Sequence, residues 1–202
     1  MKVICVGGSS SHCGKTAVVS LLLKAFPGWA AVKVTPCRSD EICPRGDECG
    51  ACKPPDGPYE IVECPESPGK DTARYLEAGA SRVLWVRSLP EFLPEALESA
   101  LARLSDAPGV IIESTTAIHL LDGLNILVIR EGVDEIKESA QRCMDKVDLI
   151  MLNIRDTQAL SSNFHVEAPM LKAWRVIPMC AILPLEHHFN QEFLTAVNEF
   201  DL

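Results

Sequence analysis

The sequence contains no window approaching the roughly 18 uninterrupted apolar residues of a membrane span, so no transmembrane helix and no membrane partner are expected. It also has no block of Lys and Arg anywhere along the chain. With 19 basic against 28 acidic side chains the formal net charge is −9, which opposes association with nucleic-acid backbones or anionic lipid. Small molecules or proteins are the better partners. The N-terminal MKVICVGGSSS carries one Lys and a very short apolar run that enters a glycine turn, so it reads as a first strand and not as a secretion signal; a soluble protein of the cytoplasm is expected. Internal repeats and low-complexity tracts are missing as well. What remains is ordinary globular composition, 47% hydrophobic and 23% charged, over 202 residues, enough for one domain spanning 1–202 and short for two. The nine cysteines are an odd number, and without a signal peptide they read as thiols or metal ligands before disulfides.

Apolar runs rich in β-branched residues recur at 3–6, 30–34, 59–62, 82–86, 109–113, 125–129 and 148–152. Several are apolar at consecutive positions, as strands covered on both faces are. Helical periods lie between them at 16–26, 90–104 and 133–144; the second puts Leu93, Leu97, Ala100, Leu101 and Leu104 on one stripe, and the third Val133, Ile136, Ala140 and Cys143. A strand within 175–183 and a closing helix over 187–200 complete the chain. Alternating strand and helix predict an α/β fold, a mostly parallel sheet with helices on both faces. The segment 36–58, crowded with Cys, Pro, Gly and acidic residues, has no usable period and reads as a loop inserted after the second strand.

The first strand leads into GGSSSHCGKT and then into AVVSLLLKAF, the strand, loop and helix order that a phosphate-binding loop requires. Amide groups at a helix start form a concave donor surface with partial positive charge. Candidate phosphate contacts are Gly8, Ser9, Ser10, Ser11, His12, Cys13, Gly14, Lys15, Thr16 and Ala17. Gly14 lets the backbone approach closely, Lys15 offsets phosphate charge as a catalytic cation, and the Thr16 hydroxyl is placed for magnesium. The usual first glycine of the motif is Ser9, so either Ser9 tolerates the turn or the loop is one residue longer. The side chains of His12 and Cys13 are expected to point out of a loop whose backbone does the binding.

Such a loop needs a carboxylate at a neighbouring strand end. Glu113, closing GVIIE, is the first choice for catalysis and magnesium, and Asp71 the second, although Asp71 also suits the N-cap of a helix over 72–78. After the strand DLIML, NIRD places Asn153 and Asp156 as in the N-K-x-D element that recognises guanine, but with Ile154 where the Lys would stand; a turn capped by the same two residues fits equally. ATP and GTP both stay open.

Cys37, Cys43, Cys49 and Cys52 fall as C-x5-C-x5-C-x2-C on the inserted loop, with Cys64 a further ligand candidate. Soft thiolates select zinc or an iron–sulfur cluster, and closing the loop on metal would replace the core it lacks. The single short pair leans toward iron–sulfur. Cys5, Cys143 and Cys180 sit in apolar segments and read as small core residues.

Together GGSSSHCGKT, the Val32-Lys33 pair, IIES and above all PGKDTARYLEAGA at 68–80 resemble the molybdopterin-guanine dinucleotide biosynthesis protein B family, P-loop NTPases of the dimeric signal-recognition and metal-centre-maturation class. The resemblance covers about the first 115 residues. It implies GTP binding with weak hydrolysis, a homodimer, and a supporting role in molybdenum-cofactor or metalloenzyme maturation beside a partner of that pathway. It also implies that Lys33, Asp71 and Arg74 border the site. The family's histidine-rich stretch after Lys33 is replaced here by TPCRSDEIC, and its glycine after the acidic residue is Ser114. Two other readings stand: an ATP-dependent ligase or kinase similar to dethiobiotin synthetase, and a metal carrier or scaffold gated by nucleotide.

Overall fold

A computed structural model describes residues 1–37, 55–64, 71–130, 136–153, 176–179 and 187–200. In chain order the elements are β1 (Lys2–Gly8), α1 (Lys15–Ala25), β2 (Ala30–Pro36), β3 (Tyr59–Glu63), α2 (Asp71–Glu77), β4 (Val83–Ser88), α3 (Leu93–Arg103), β5 (Gly109–Glu113), β6 (Leu124–Arg130), α4 (Glu138–Arg142), β7 (Leu149–Asn153), β8 (Val176–Met179) and α5 (His188–Asn198). Among the described residues the strands form one sheet ordered β3-β4-β2-β5-β1-β6-β7-β8. Every pairing is parallel except that of β3 with β4. This is the expected α/β architecture, a mostly parallel sheet with helices on both faces.

Strand alternation sorts the apolar runs into two cores. Ile4, Val6, Ile111, Ile126, Val128 and Met151 face α1, α2 and α5, while Cys5, Val32, Ile112, Leu127 and Ile150 face α3 and α4. Consecutive apolar residues are needed because both faces are covered. The stripe Leu93, Leu97, Ala100 and Leu104 is almost fully buried, and each Leu there contributes about 1.5–3 kcal/mol by leaving water, which seats α3 on the sheet.

Chain direction sets the place of the site. From β1 the chain passes through α1 to β2 on one side, and after β5 it crosses to β6 on the other, so β1 lies between β5 and β6. At such a switch point the carboxyl ends of the strands open a crevice. Gly8, Glu113 and Asn153 lie at three of those ends.

Three expectations are corrected. The helix read over 90–104 is a 3-10 turn at Pro90–Phe92 followed by α3; Pro94 has no N–H to give back, a defect tolerated only in a first turn. Of the helix read over 133–144, Val133 lies outside the described residues and α4 begins at Glu138, because Lys137 is extended (φ −57, ψ 150) and gives its N–H to the Ser9 carbonyl at 2.9 Å; Ile136, Ala140 and Cys143 of its stripe are buried. Cys64 does not join Cys37 in one metal site. The Cys37 N–H donates to the Ser88 carbonyl and the Cys64 N–H to the Val83 carbonyl, the two ends of β4, which at about 3.3 Å per residue lie some 17 Å apart.

Candidate phosphate-binding site

β1 ends at Gly8 beneath the loop. The Ser9 N–H extends the ladder to the Val128 carbonyl at 2.9 Å, and its carbonyl accepts from Lys137, so Ser9 stands at the place of the usual glycine without a left-handed backbone. The tight contact lies one residue earlier. A Cβ at Gly8 would overlap the Cys13 sulfur and come within 2.8 Å of the Lys15 stem. Thr115 Oγ1 accepts the Gly8 N–H at 3.0 Å, fixing the strand end against the residues after β5.

Ser11 and His12 are exposed at the crest, His12 with φ 58, while Cys13 is fully buried. The outward orientation expected of Cys13 is therefore corrected: its thiol fills the α1-side core under the loop, and only His12 points out. Gly14 ends the loop at φ 108, where a residue with Cβ is strained, and a Cβ there would collide with the Asn153 amide. That amide donates from Nδ2 to the Cys13 carbonyl at 2.9 Å. Asn153 thus ties β7 to the loop, whereas Asp156 lies outside the described residues. Replacing Gly14 with Ala is expected to cost about 2 kcal/mol of stability or more, a left-handed penalty of about 1–2 kcal/mol plus displacement of Asn153, and denaturant unfolding measures it.

Among the described residues, the backbone N–H groups from Ser10 to Thr16 donate to no acceptor, whereas those of Ala17 and Val18 both bond to the Gly14 carbonyl. A run of open amides at a helix start is an anion site that needs few side chains. Lys15 lies over it with Nζ 3.2 Å from the Ser10 carbonyl and 3.8 Å from the Cys13 sulfur.

Glu113 faces α1 and α2 because it shares a strand face with Ile111, and the register sets it beside Lys33. Its Oε2 accepts from Thr16 Oγ1 at 3.2 Å and from the Tyr75 hydroxyl, and its Oε1 from Lys33 Nζ at 3.2 Å. Only 6% of Glu113 is exposed, so these three donors stand in for water around a buried carboxylate. Lys33 also donates to Asp71 Oδ2 at 2.7 Å, and Arg74 lies 3.9 Å from Asp71 Oδ1. Asp71 therefore reaches the site through Lys33. The Thr16 hydroxyl and the Glu113 and Asp71 carboxylates are hard oxygen donors of the kind magnesium takes.

Tyr75 was not among the residues singled out in the sequence, yet its hydroxyl is a direct donor to Glu113. Its spacing was the available signal: Tyr75 follows Asp71 by four residues, so one helix face carries both to the Lys33 and Glu113 pair.

Of the four clustered cysteines, Cys37 is described: it is buried just past β2, and burial raises its thiol pKa, partly offset by Arg87. Cys43, Cys49 and Cys52 lie outside the described residues, and no set of three or more metal-binding side chains occurs among the described ones. Cys5 and Cys143 are core thiols as expected; desolvation raises both, Cys143 to about 11. No helix among the described residues is long and apolar enough to cross a membrane.

No protein-family model matches the chain, and no curated protein matches it. Among solved structures it is similar to LpxK from Aquifex aeolicus, crystallised as an "apo" form in complex with ATP, at 17% identity and a TM-score of 0.48. The match covers 88% of this chain and 53% of that one, so this chain spans about half the length of that relative.

Proposed function

We propose that this chain binds ATP or GTP with magnesium on the loop from Gly8 to Ala17 and hydrolyses it slowly. The observation that carries the reading is the convergence of the open amides from Ser10 to Thr16 with the Lys15 ammonium and the Thr16–Glu113 contact. The amides and Lys15 would hold phosphate oxygens. Because the Thr16 hydroxyl gives its proton to Glu113, its lone pairs remain available to a cation. Magnesium, when bound, supplies positive charge against the phosphate oxygens. Both Glu113 oxygens are already engaged, so this carboxylate is better suited to positioning than to taking a proton from water, which supports slow turnover.

Its role would be an accessory one in molybdenum-cofactor or metalloenzyme maturation, with a homodimer partner or client completing the site. It is supported by Lys33, Asp71 and Arg74, residues on which the family resemblance rests, lying together beside Glu113. The cysteine segment follows β2, the strand that carries Lys33, directly in the sequence. Anaerobic purification with an absorption spectrum and metal analysis tests that part: iron with sulfide, or one zinc, is expected, and protein without either metal would remove it.

Steady-state hydrolysis separates the accessory reading from a ligase or kinase. We expect turnover well below the ~1–100 s⁻¹ of kinases, indifferent to small-molecule acceptors. Rapid turnover appearing only with one small acceptor would transfer the assignment to the ligase or kinase class.

A further inference from the structure

A second lysine is built onto the loop by a different part of the chain. Lys137 precedes α4, and its N–H donates to the carbonyl of Ser9 at 2.9 Å while its own carbonyl accepts from Ala140 and Gln141 at 2.9 and 3.0 Å. Gln141 Nε2 holds the same segment through the Ile136 carbonyl at 2.6 Å. The backbone of Lys137 is thereby fixed to the start of the phosphate loop from one side and to a helix from the other.

Among the described residues neither Lys137 nor Lys15 has a carboxylate within ion-pair distance, although the chain carries 28 acidic side chains. Among the described residues the Lys15 ammonium rests on a carbonyl and a thiol. Two lysines, one on the loop and one on the segment whose backbone is bonded to it, each without a carboxylate partner among the described residues, are complementary to a polyanion that brings several negative charges at once. The residue as a whole remains exposed and can be reached by a ligand. Burial and repulsion from Lys15 lower the Lys137 pKa, with Cys13 and Cys143 acting the other way. A bound polyphosphate would remove that repulsion.

We propose that Lys137 is a second phosphate-binding cation, clamped to the loop through the Ser9 carbonyl and acting with Lys15 on the polyphosphate of the nucleotide. The inference rests on the nucleotide-binding reading above and adds a residue outside the loop motif.

Titration of the full chain with ATP, GTP and inorganic tripolyphosphate, each with magnesium, tests it on the wild type, Lys137→Gln and Lys137→Arg. The Gln variant keeps the backbone donor to Ser9 and much of the stem. Lys137→Gln is expected to raise Kd for all three probes by about tenfold, the loss of one charge-assisted hydrogen bond. Lys137→Arg should recover most of it, and the ligand-free unfolding midpoint should stay at the wild-type value, which a merely structural role would not allow. Equal affinity of the wild type and Lys137→Gln overturns the role of Lys137 and leaves the binding site standing. Failure of the wild type to bind any of the three removes both.

Discussion

Lys15→Ala is expected to weaken the binding of ATP and GTP by at least about a hundredfold, because it removes a charge-assisted donor shared between phosphates. The fold should lose little. Among the described residues the Lys15 ammonium makes two hydrogen bonds, to the Ser10 carbonyl and the Cys13 sulfur, and neither joins separate elements of the sheet. Equilibrium titration with magnesium, run beside denaturant unfolding, separates these effects: affinity collapses while the midpoint stays within experimental scatter. An Ala variant that binds as tightly as the wild type would mean that the lysine serves no phosphate.

Glu113→Gln is the complementary change. The amide keeps the shape and one acceptor oxygen but loses the charge that gathers Thr16, Tyr75 and Lys33. Hydrolysis is expected to fall by about 10²–10³-fold, the cost typical of removing a preorganised electrostatic group, with nucleotide affinity changed far less. Lys33 retains Asp71 at 2.7 Å, so the substitution leaves no buried lysine stranded. Single-turnover hydrolysis at saturating nucleotide measures the effect. Unchanged turnover would assign Glu113 to folding alone.

The parts of the site that read clearly in the sequence are those specified by local chemistry. Gly14, Lys15 and Thr16 stand at a strand-to-helix junction, and such a junction has few backbone solutions. Glu113 was visible because it ends an apolar run as its one acidic residue. Residues placed by tertiary contact were not visible in the same way. Tyr75 looks like any aromatic on a short helix until α2 is docked beside β5, and Cys13 reads as a loop side chain until the core beneath the loop is assembled. Lys137 falls inside a stretch of helical period, and only its bond to Ser9 shows why the helix starts after it. β3 is half exposed, as an antiparallel edge strand is; the two acidic residues within YEIVE were the sign of an edge strand in an otherwise parallel sheet.

The central claim is that open amides and a lysine at the carboxyl end of β1 form a polyphosphate site. Thermal unfolding of the wild-type chain with magnesium, with and without ATP or GTP, tests it most directly, since a ligand at a hundred times its Kd stabilises the folded state by about 2.7 kcal/mol. A saturable rise in the unfolding midpoint with at least one triphosphate, absent with the bare nucleoside and absent in Lys15→Ala, is the predicted result. No shift with either triphosphate at millimolar concentration, or the same shift with the nucleoside alone, would contradict it.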